Sequence, residues 1–228
     1  MEGRRGVCPD CPVRPHNALG TLVDPKSSRC ALRCLFVPAR HPLPPRWFGA
    51  YGLALVRRGI LVRQRVDAGG SATSVDAVGP GGAAPLLDSG EATSGGYAAD
   101  DALVCLVPKA ALKGALDAGA PSASHVVTLH LAALERVERI ADARGRATAH
   151  GRVAALLCAL ADTLAPPRRL DTVPVALQQR DMASLLTMRH ESVCRALGAF
   201  ERRRWLVRGS EGIRLLDRPH LEAAARPS

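Results

Sequence analysis

The chain has 228 residues, enough to bury an apolar core in each of two domains. It contains no run of about 18 uncharged apolar residues, and Met1-Glu-Gly-Arg-Arg5 leads into a Cys- and Pro-rich stretch, so no membrane span and no secretory signal is expected and a cytoplasmic location is. The net charge of +10 is organised by segment: residues 1 to 66 carry 12 basic against 3 acidic groups, 67 to 121 carry 2 against 7, and 144 to 228 carry 15 against 8. A basic C-terminal part suits a polyanionic partner, because each neutralised phosphate releases counterions.

Residues 1–48 read as a cysteine-rich leader and a connector broken by Pro38 to Pro45. A reducing compartment makes a disulfide framework the wrong reading of seven cysteines, which leaves metal binding or thiol chemistry. Cys8-x2-Cys11, eighteen residues, then Cys30-x3-Cys34 is close to a four-thiolate zinc spacing. Cys158, on the apolar side of a helical stretch, reads as a small buried residue.

Residues 49–121 read as a small antiparallel β domain. Leu53 to Val66 divides into two strands at Gly59, and Asp67-Ala-Gly-Gly70 turns into a third over Thr73 to Val78. Gly79-Pro-Gly-Gly82 and Ser94-Gly-Gly96 punctuate the stretch up to Ala99. Ala102 to Val107 is a buried strand that Pro108 stops. Residues 122–145 read as one long helix. Val127, Leu134 and Ala141 recur every seven residues, interleaved with His130, Val137 and Arg144, a seam that asks for a partner helix. A further helix spans Thr148 to Leu164.

Within residues 146–228 the motif density rises. Gln179 to Leu186 predicts a short helix with Met182, Leu185 and Leu186 inward. After a tight turn at Thr187 to Arg189, Glu191 to Phe200 predicts a second helix with Val193, Leu197 and Phe200 inward. His190, Glu191, Cys194 and Arg195 are left on the outward N-terminal half, the half that enters the major groove in a helix-turn-helix. Trp205 to Arg208, the Gly209-Ser-Glu-Gly212 turn and Ile213 to Leu216 predict a hairpin wing.

Asp181-Met-Ala-Ser-Leu-Leu186, Glu191-Ser-Val-Cys-Arg-Ala-Leu197 and Phe200-Glu-Arg-Arg-Arg-Trp-Leu-Val207 together resemble the DNA-binding domain of the Crp/Fnr transcription regulators. The resemblance extends loosely over about residues 50 to 220 and implies an α+β fold: a shortened cyclic-nucleotide-binding-like β-roll, a long dimerisation helix and a C-terminal winged helix-turn-helix. It implies a homodimer on a palindromic operator in double-stranded DNA, with RNA polymerase as a further partner. By the same resemblance Glu191 accepts from a cytosine amino group, Arg195 donates to a guanine edge, His190 and Cys194 tune the remaining positions, and Arg189 and Ser192 hold phosphates. Two departures stand out. Thr187 occupies a turn position usually given to Gly, and Cys194 stands where the oxygen-sensing Fnr branch has Ser.

No cyclic nucleotide is expected, since Gly81-Gly-Ala-Ala-Pro-Leu-Leu87 and Gly95-Gly-Tyr-Ala-Ala99 supply no Arg for its phosphate. Cys8-Pro-Asp-Cys11 resembles the cysteine leader of the Fnr branch, and Cys105 falls where that branch places its distant fourth ligand to a 4Fe-4S cluster, with Cys30 or Cys34 as the third. The cluster, a leader-bound zinc and simple thiol redox chemistry remain open as readings. Phosphate-loop and Gly-x-Ser-x-Gly motifs are missing, and the chain is not read as an enzyme.

Overall fold

The apolar pattern changes from strand-like to helical near the middle of the chain, and the fold reflects that change. The computed structural model describes residues 32–86, 93–117, 119, 122–164 and 171–226. Its elements are β1 (Arg33–Val37), α1 (Arg46–Ala50), β2 (Tyr51–Arg58), β3 (Leu61–Val66), β4 (Ala72–Val78), β5 (Ala83–Pro85), β6 (Thr93–Ala98), β7 (Ala102–Pro108) and α2 (Lys109–Asp117). There follow α3 (Ser122–Arg144), α4 (Ala149–Leu164), β8 (Thr172–Pro174), α5 (Gln179–Leu186), α6 (His190–Arg202), β9 (Leu206–Gly209), β10 (Gly212–Leu215) and α7 (Arg218–Ala224). This is the expected α+β fold. Two compact units divide it: residues 1–72 with 78–134, and residues 73–77 with 135–228.

In the N-terminal unit one antiparallel sheet has the order β1-β7-β2-β5, and β3 pairs antiparallel with β6. Both faces of the first sheet are covered. Ala54, Val56, Val104 and Leu106 point into a cluster with Leu43, Trp47 and Phe48. Their neighbours Leu53, Leu55, Cys105 and Val107 point the other way, against Leu112 and Ala115 of α2 and Val126 of α3. Burial on both faces is why β2 and β7 read as unbroken apolar runs instead of alternating ones. Each fully buried Leu or Val contributes about 1.5 to 3 kcal/mol.

Three elements here depart from the sequence reading. Residues 33–37, read as leader, form β1 at the edge of the first sheet. Ser94-Gly-Gly96, read as punctuation, lies inside β6, because at Gly96 a Cβ would stand 2.5 Å from the Val62 carbonyl oxygen and only glycine lets β3 approach. Pro108 ends β7 but opens α2, consistent with proline's tolerance at a helix start. Gly59 behaves as read: its φ of 79° turns β2 into β3. Cys8, Cys11 and Cys30 lie outside the described residues.

The long helix α3 is buried along Val126, Ala133, Ile140 and Ala143. The predicted seam lies on another face, where Val127 and Leu134 are exposed together with Leu131, the most open at 59%. His130, read as part of the seam, donates from Nδ1 to the Val126 carbonyl at 2.8 Å.

In the C-terminal unit Val153, Leu156, Leu157 and Leu160 of α4 form a core with Met182, Leu185 and Leu186 of α5 and Val193, Leu197 and Phe200 of α6. Phe200 stacks on Trp205, which in turn stacks on His220. The wing is a three-stranded sheet of order β8-β10-β9, one strand more than the hairpin read from the sequence. Arg218 ties α7 to the rest of the unit through Asp162 at 2.6 Å and Asp171 at 2.8 Å, and pairs with Glu222 within the helix at 2.7 Å.

Candidate nucleic-acid interface

The interface is built on two helices whose ends are set by local sequence. Helix α5 opens with a capping box, in which the Gln178 side chain takes the backbone of Asp181 and the Asp181 carboxylate accepts from the Gln178 backbone N–H at 2.8 Å. It closes in a Schellman arrangement, with Met188 N–H donating to the Ala183 carbonyl and Thr187 N–H to that of Ser184. Thr187 itself is left-handed, with φ 54°. The position usually given to Gly therefore keeps the conformation that Gly would supply, and the tight turn forms with a β-branched residue in it.

Helix α6 starts one residue after Arg189. Val193, Ala196, Leu197 and Phe200 bury one side of it, and His190, Glu191 and Arg195 stand exposed on the other, with Ser192 and Cys194 half-buried between. Glu191 lies in the first turn, where a carboxylate is favoured by the helix dipole. Arg195 Nη2 donates to Ser192 Oγ at 3.4 Å, so its guanidinium is held by a weak contact and points outward. Cys194 Sγ donates to Gln179 Oε1 at 2.8 Å and lies 3.5 to 3.6 Å from the His190 ring nitrogens. The six residues read as a DNA-facing set thus occupy one end and one face of α6.

Sequence reading missed what surrounds them. A cleft of about 390 Å3 opens between the start of α5, His190 and the wing, lined by Gln178, Gln179, Arg180, Arg208 and Ile213 among others. Arg180 is exposed at the first turn of α5, so two guanidinium groups, Arg180 and Arg208, border one opening beside His190. Arg208 is fixed by Glu201, whose carboxylate accepts from Arg208 Nε at 3.0 Å and from its Nη2. Those hydrogen bonds hold the Glu201 carboxyl below the usual carboxylate range. In the Arg202-Arg-Arg204 run, Arg203 sits 5.0 Å over the Trp205 ring.

Residues 151–224 match the family profile described as the Crp-like helix-turn-helix domain. This region is a Crp-like helix-turn-helix domain. Beyond it, the whole architecture recurs in solved structures. FixK2 from Bradyrhizobium japonicum is 21% identical with a TM-score of 0.71, the match covering 86% of this chain and 98% of that one. A cyclic nucleotide-binding domain containing protein from Listeria monocytogenes is 12% identical with a TM-score of 0.69 over 90% of this chain and 98% of that one. A CRP-family transcriptional regulator from Thermus thermophilus is 19% identical with a TM-score of 0.62 over 84% and 96%. No curated protein matches the sequence. At 12 to 21% identity, what this chain shares with these three structures is the fold: a β-rich N-terminal part, a long helix and a C-terminal Crp-like helix-turn-helix. None of its described helices is long and apolar enough to cross a membrane.

Of the five cysteines read as metal ligands, Cys34 and Cys105 fall within the described residues, and β1–β7 pairing sets them directly opposite each other. That register puts the two side chains on one face of the sheet. Among the described residues no group of three or more His, Cys, Asp or Glu side chains forms a metal site. Cys158 belongs to the C-terminal unit and is half-buried, not buried as read, because it lies beside the apolar stripe of α4 and not in it; desolvation pushes its thiol up to about 11.

Proposed function

We propose that the chain is a sequence-specific transcription regulator that reads a palindromic operator as a homodimer. The observation that carries this reading is the division of α6: Val193, Ala196, Leu197 and Phe200 fully buried, Glu191 and Arg195 exposed one helical turn apart. A carboxylate and a guanidinium at that spacing match a cytosine amino group and a guanine edge in the major groove. Arg189, Ser192 and the neighbouring Arg180 supply phosphate contacts around them, and His190 and Cys194 complete the base-facing set.

Dimerisation runs through α3. Val127, Leu131 and Leu134 form an exposed apolar line at i, i+4 and i+7, the spacing of a helix that pairs with another. Two such protomers place their recognition helices about 34 Å apart, one turn of DNA. RNA polymerase is the partner through which such a dimer acts on transcription.

The signal is read through cysteine. Cys8, Cys11 and Cys105 would supply thiolates to an iron-sulfur cluster, with Cys30 or Cys34 as the remaining ligand. Such a cluster is open to destruction by oxygen or nitric oxide. Zinc is the second reading, favoured by the leader spacing Cys8-x2-Cys11 and Cys30-x3-Cys34.

Two experiments test the core of the proposal. Arg195→Ala lowers affinity for the operator by about 1 to 3 kcal/mol and relaxes preference at one base position, measured by anisotropy on a half-site library; unchanged preference removes Arg195 from the reading set. Leu134→Glu abolishes dimerisation by setting like charges across the seam, and sedimentation that still shows a dimer refutes the α3 interface. Metal content and visible absorption of protein purified without oxygen separate the cluster from zinc.

A further inference from the structure

The register that brings Cys34 and Cys105 together has a chemical consequence independent of any metal. Residues directly opposed in an antiparallel pair have Cα atoms about 4.5 to 5.5 Å apart and side chains on one face. A disulfide asks for a Cα separation of about 4.4 to 6.8 Å, so the two strands are already spaced for a bond between these sulfurs. Both residues are thiols here, in the same apolar cluster. Cys105 is deep in it, 4% exposed on the central strand β7, and Cys34 is half-buried on the edge strand β1. Arg57 Nη1 donates to Cys34 Sγ at 3.7 Å, setting a charged donor against the more accessible sulfur.

We propose that Cys34 and Cys105 form a reversible dithiol–disulfide couple whose oxidant is a peroxide. The couple belongs to the metal-free chain, because sulfurs bound to a cluster are not available to pair; it needs no metal and stands on β1–β7 pairing alone. Cys34 sulfur attacks one peroxide oxygen, the O–O bond breaks, and the second oxygen leaves with a proton as water, or as an alcohol from an organic peroxide. The resulting Cys34 sulfenic acid is attacked by Cys105 sulfur; the S–S bond forms, the S–O bond breaks, and a second water departs. Two thiols lose two protons and two electrons, and one peroxide takes them up. Disulfides in reducing compartments are typically transient and redox-sensing, and a pair shared between an accessible and a buried sulfur has that character. Val126 and Leu129 of α3 pack on the same cluster, so the bond would form at the seat of the helix that carries the proposed dimer seam.

The test uses the full chain as purified, with its metal content recorded, exposed to stoichiometric hydrogen peroxide and mapped by non-reducing peptide mass spectrometry. The expected result is loss of two of the seven thiols, a linked peptide pair containing Cys34 and Cys105, and recovery of both thiols with dithiothreitol. Cys34→Ser and Cys105→Ser each eliminate the linked pair, and Cys158→Ser and Cys194→Ser retain it. Over-oxidation of Cys34 with Cys105 still alkylatable, pairing of either residue with Cys8, Cys11 or Cys30, or retention of both on iron throughout oxidation overturns the proposal. Failure to bind DNA would sink the regulator reading and leave the couple standing, so the two can fail separately.

Discussion

In the N-terminal unit a glycine sits mid-strand, Gly96 in β6, where a Cβ would come within 2.5 Å of a backbone oxygen. In the C-terminal unit Thr187 sits in the left-handed turn between α5 and α6, where glycine would be the easy choice. The first constraint is imposed by another strand and is steric; the second is imposed by the residue's own backbone and costs about 1 to 2 kcal/mol. A local cost of that size is tolerated when the surrounding core is good. Packing from a neighbouring strand leaves no comparable alternative.

The contrast can be broken experimentally, most forcefully at Gly96. Gly96→Ala lowers unfolding stability by about 2 to 3 kcal/mol in urea titration, the size of an overpacking defect, because the obstructing atom is the Val62 carbonyl and not a side-chain tip. A variant as stable as wild type would mean that β3 and β6 are less close than described. Thr187→Gly runs the other way and gains up to about 1 kcal/mol, the relief of left-handed strain being partly offset by the freer unfolded chain. Loss of stability there would show that the threonine side chain makes a contact worth more than the strain.

The smallest effect is the pH dependence of the wing. Glu201, with its pKa depressed by Arg208, contributes stability that is present above the ordinary carboxylate range and is lost as pH falls through the depressed value. Thermal unfolding of wild type and Glu201→Gln should therefore differ slightly near neutrality and converge in acid. The pair is largely solvent-screened, so a large gap between the two curves would contradict this account.

The same division explains what the sequence disclosed. Helices α5 and α6 were readable because a single amphipathic period fixes both the buried face and, by subtraction, the outward set from Arg189 to Arg195. Strand β1 was hidden because Cys, Pro and Arg dominate its surroundings, and because pairing with β7, some seventy residues away, is what makes Arg33–Val37 a strand. The opposition of Cys34 and Cys105 depends on that register and could not be seen from spacing. Arg180 and Arg208 were missed for a related reason: they border the start of α6 in space, from α5 and the wing. Leu131 falls outside the strict seven-residue repeat yet lies on the exposed apolar line of α3.

The distribution of the chain's two tryptophans turns the two-unit architecture into something that can be watched optically. Trp47 is enclosed in the N-terminal core, and Trp205 lies between Phe200 and His220 in the other unit. With Trp205→Phe the remaining emission reports the β-rich unit, and with Trp47→Phe it reports the C-terminal unit. Each half thus carries its own fluorophore, and their melting curves can be recorded one at a time in the intact chain.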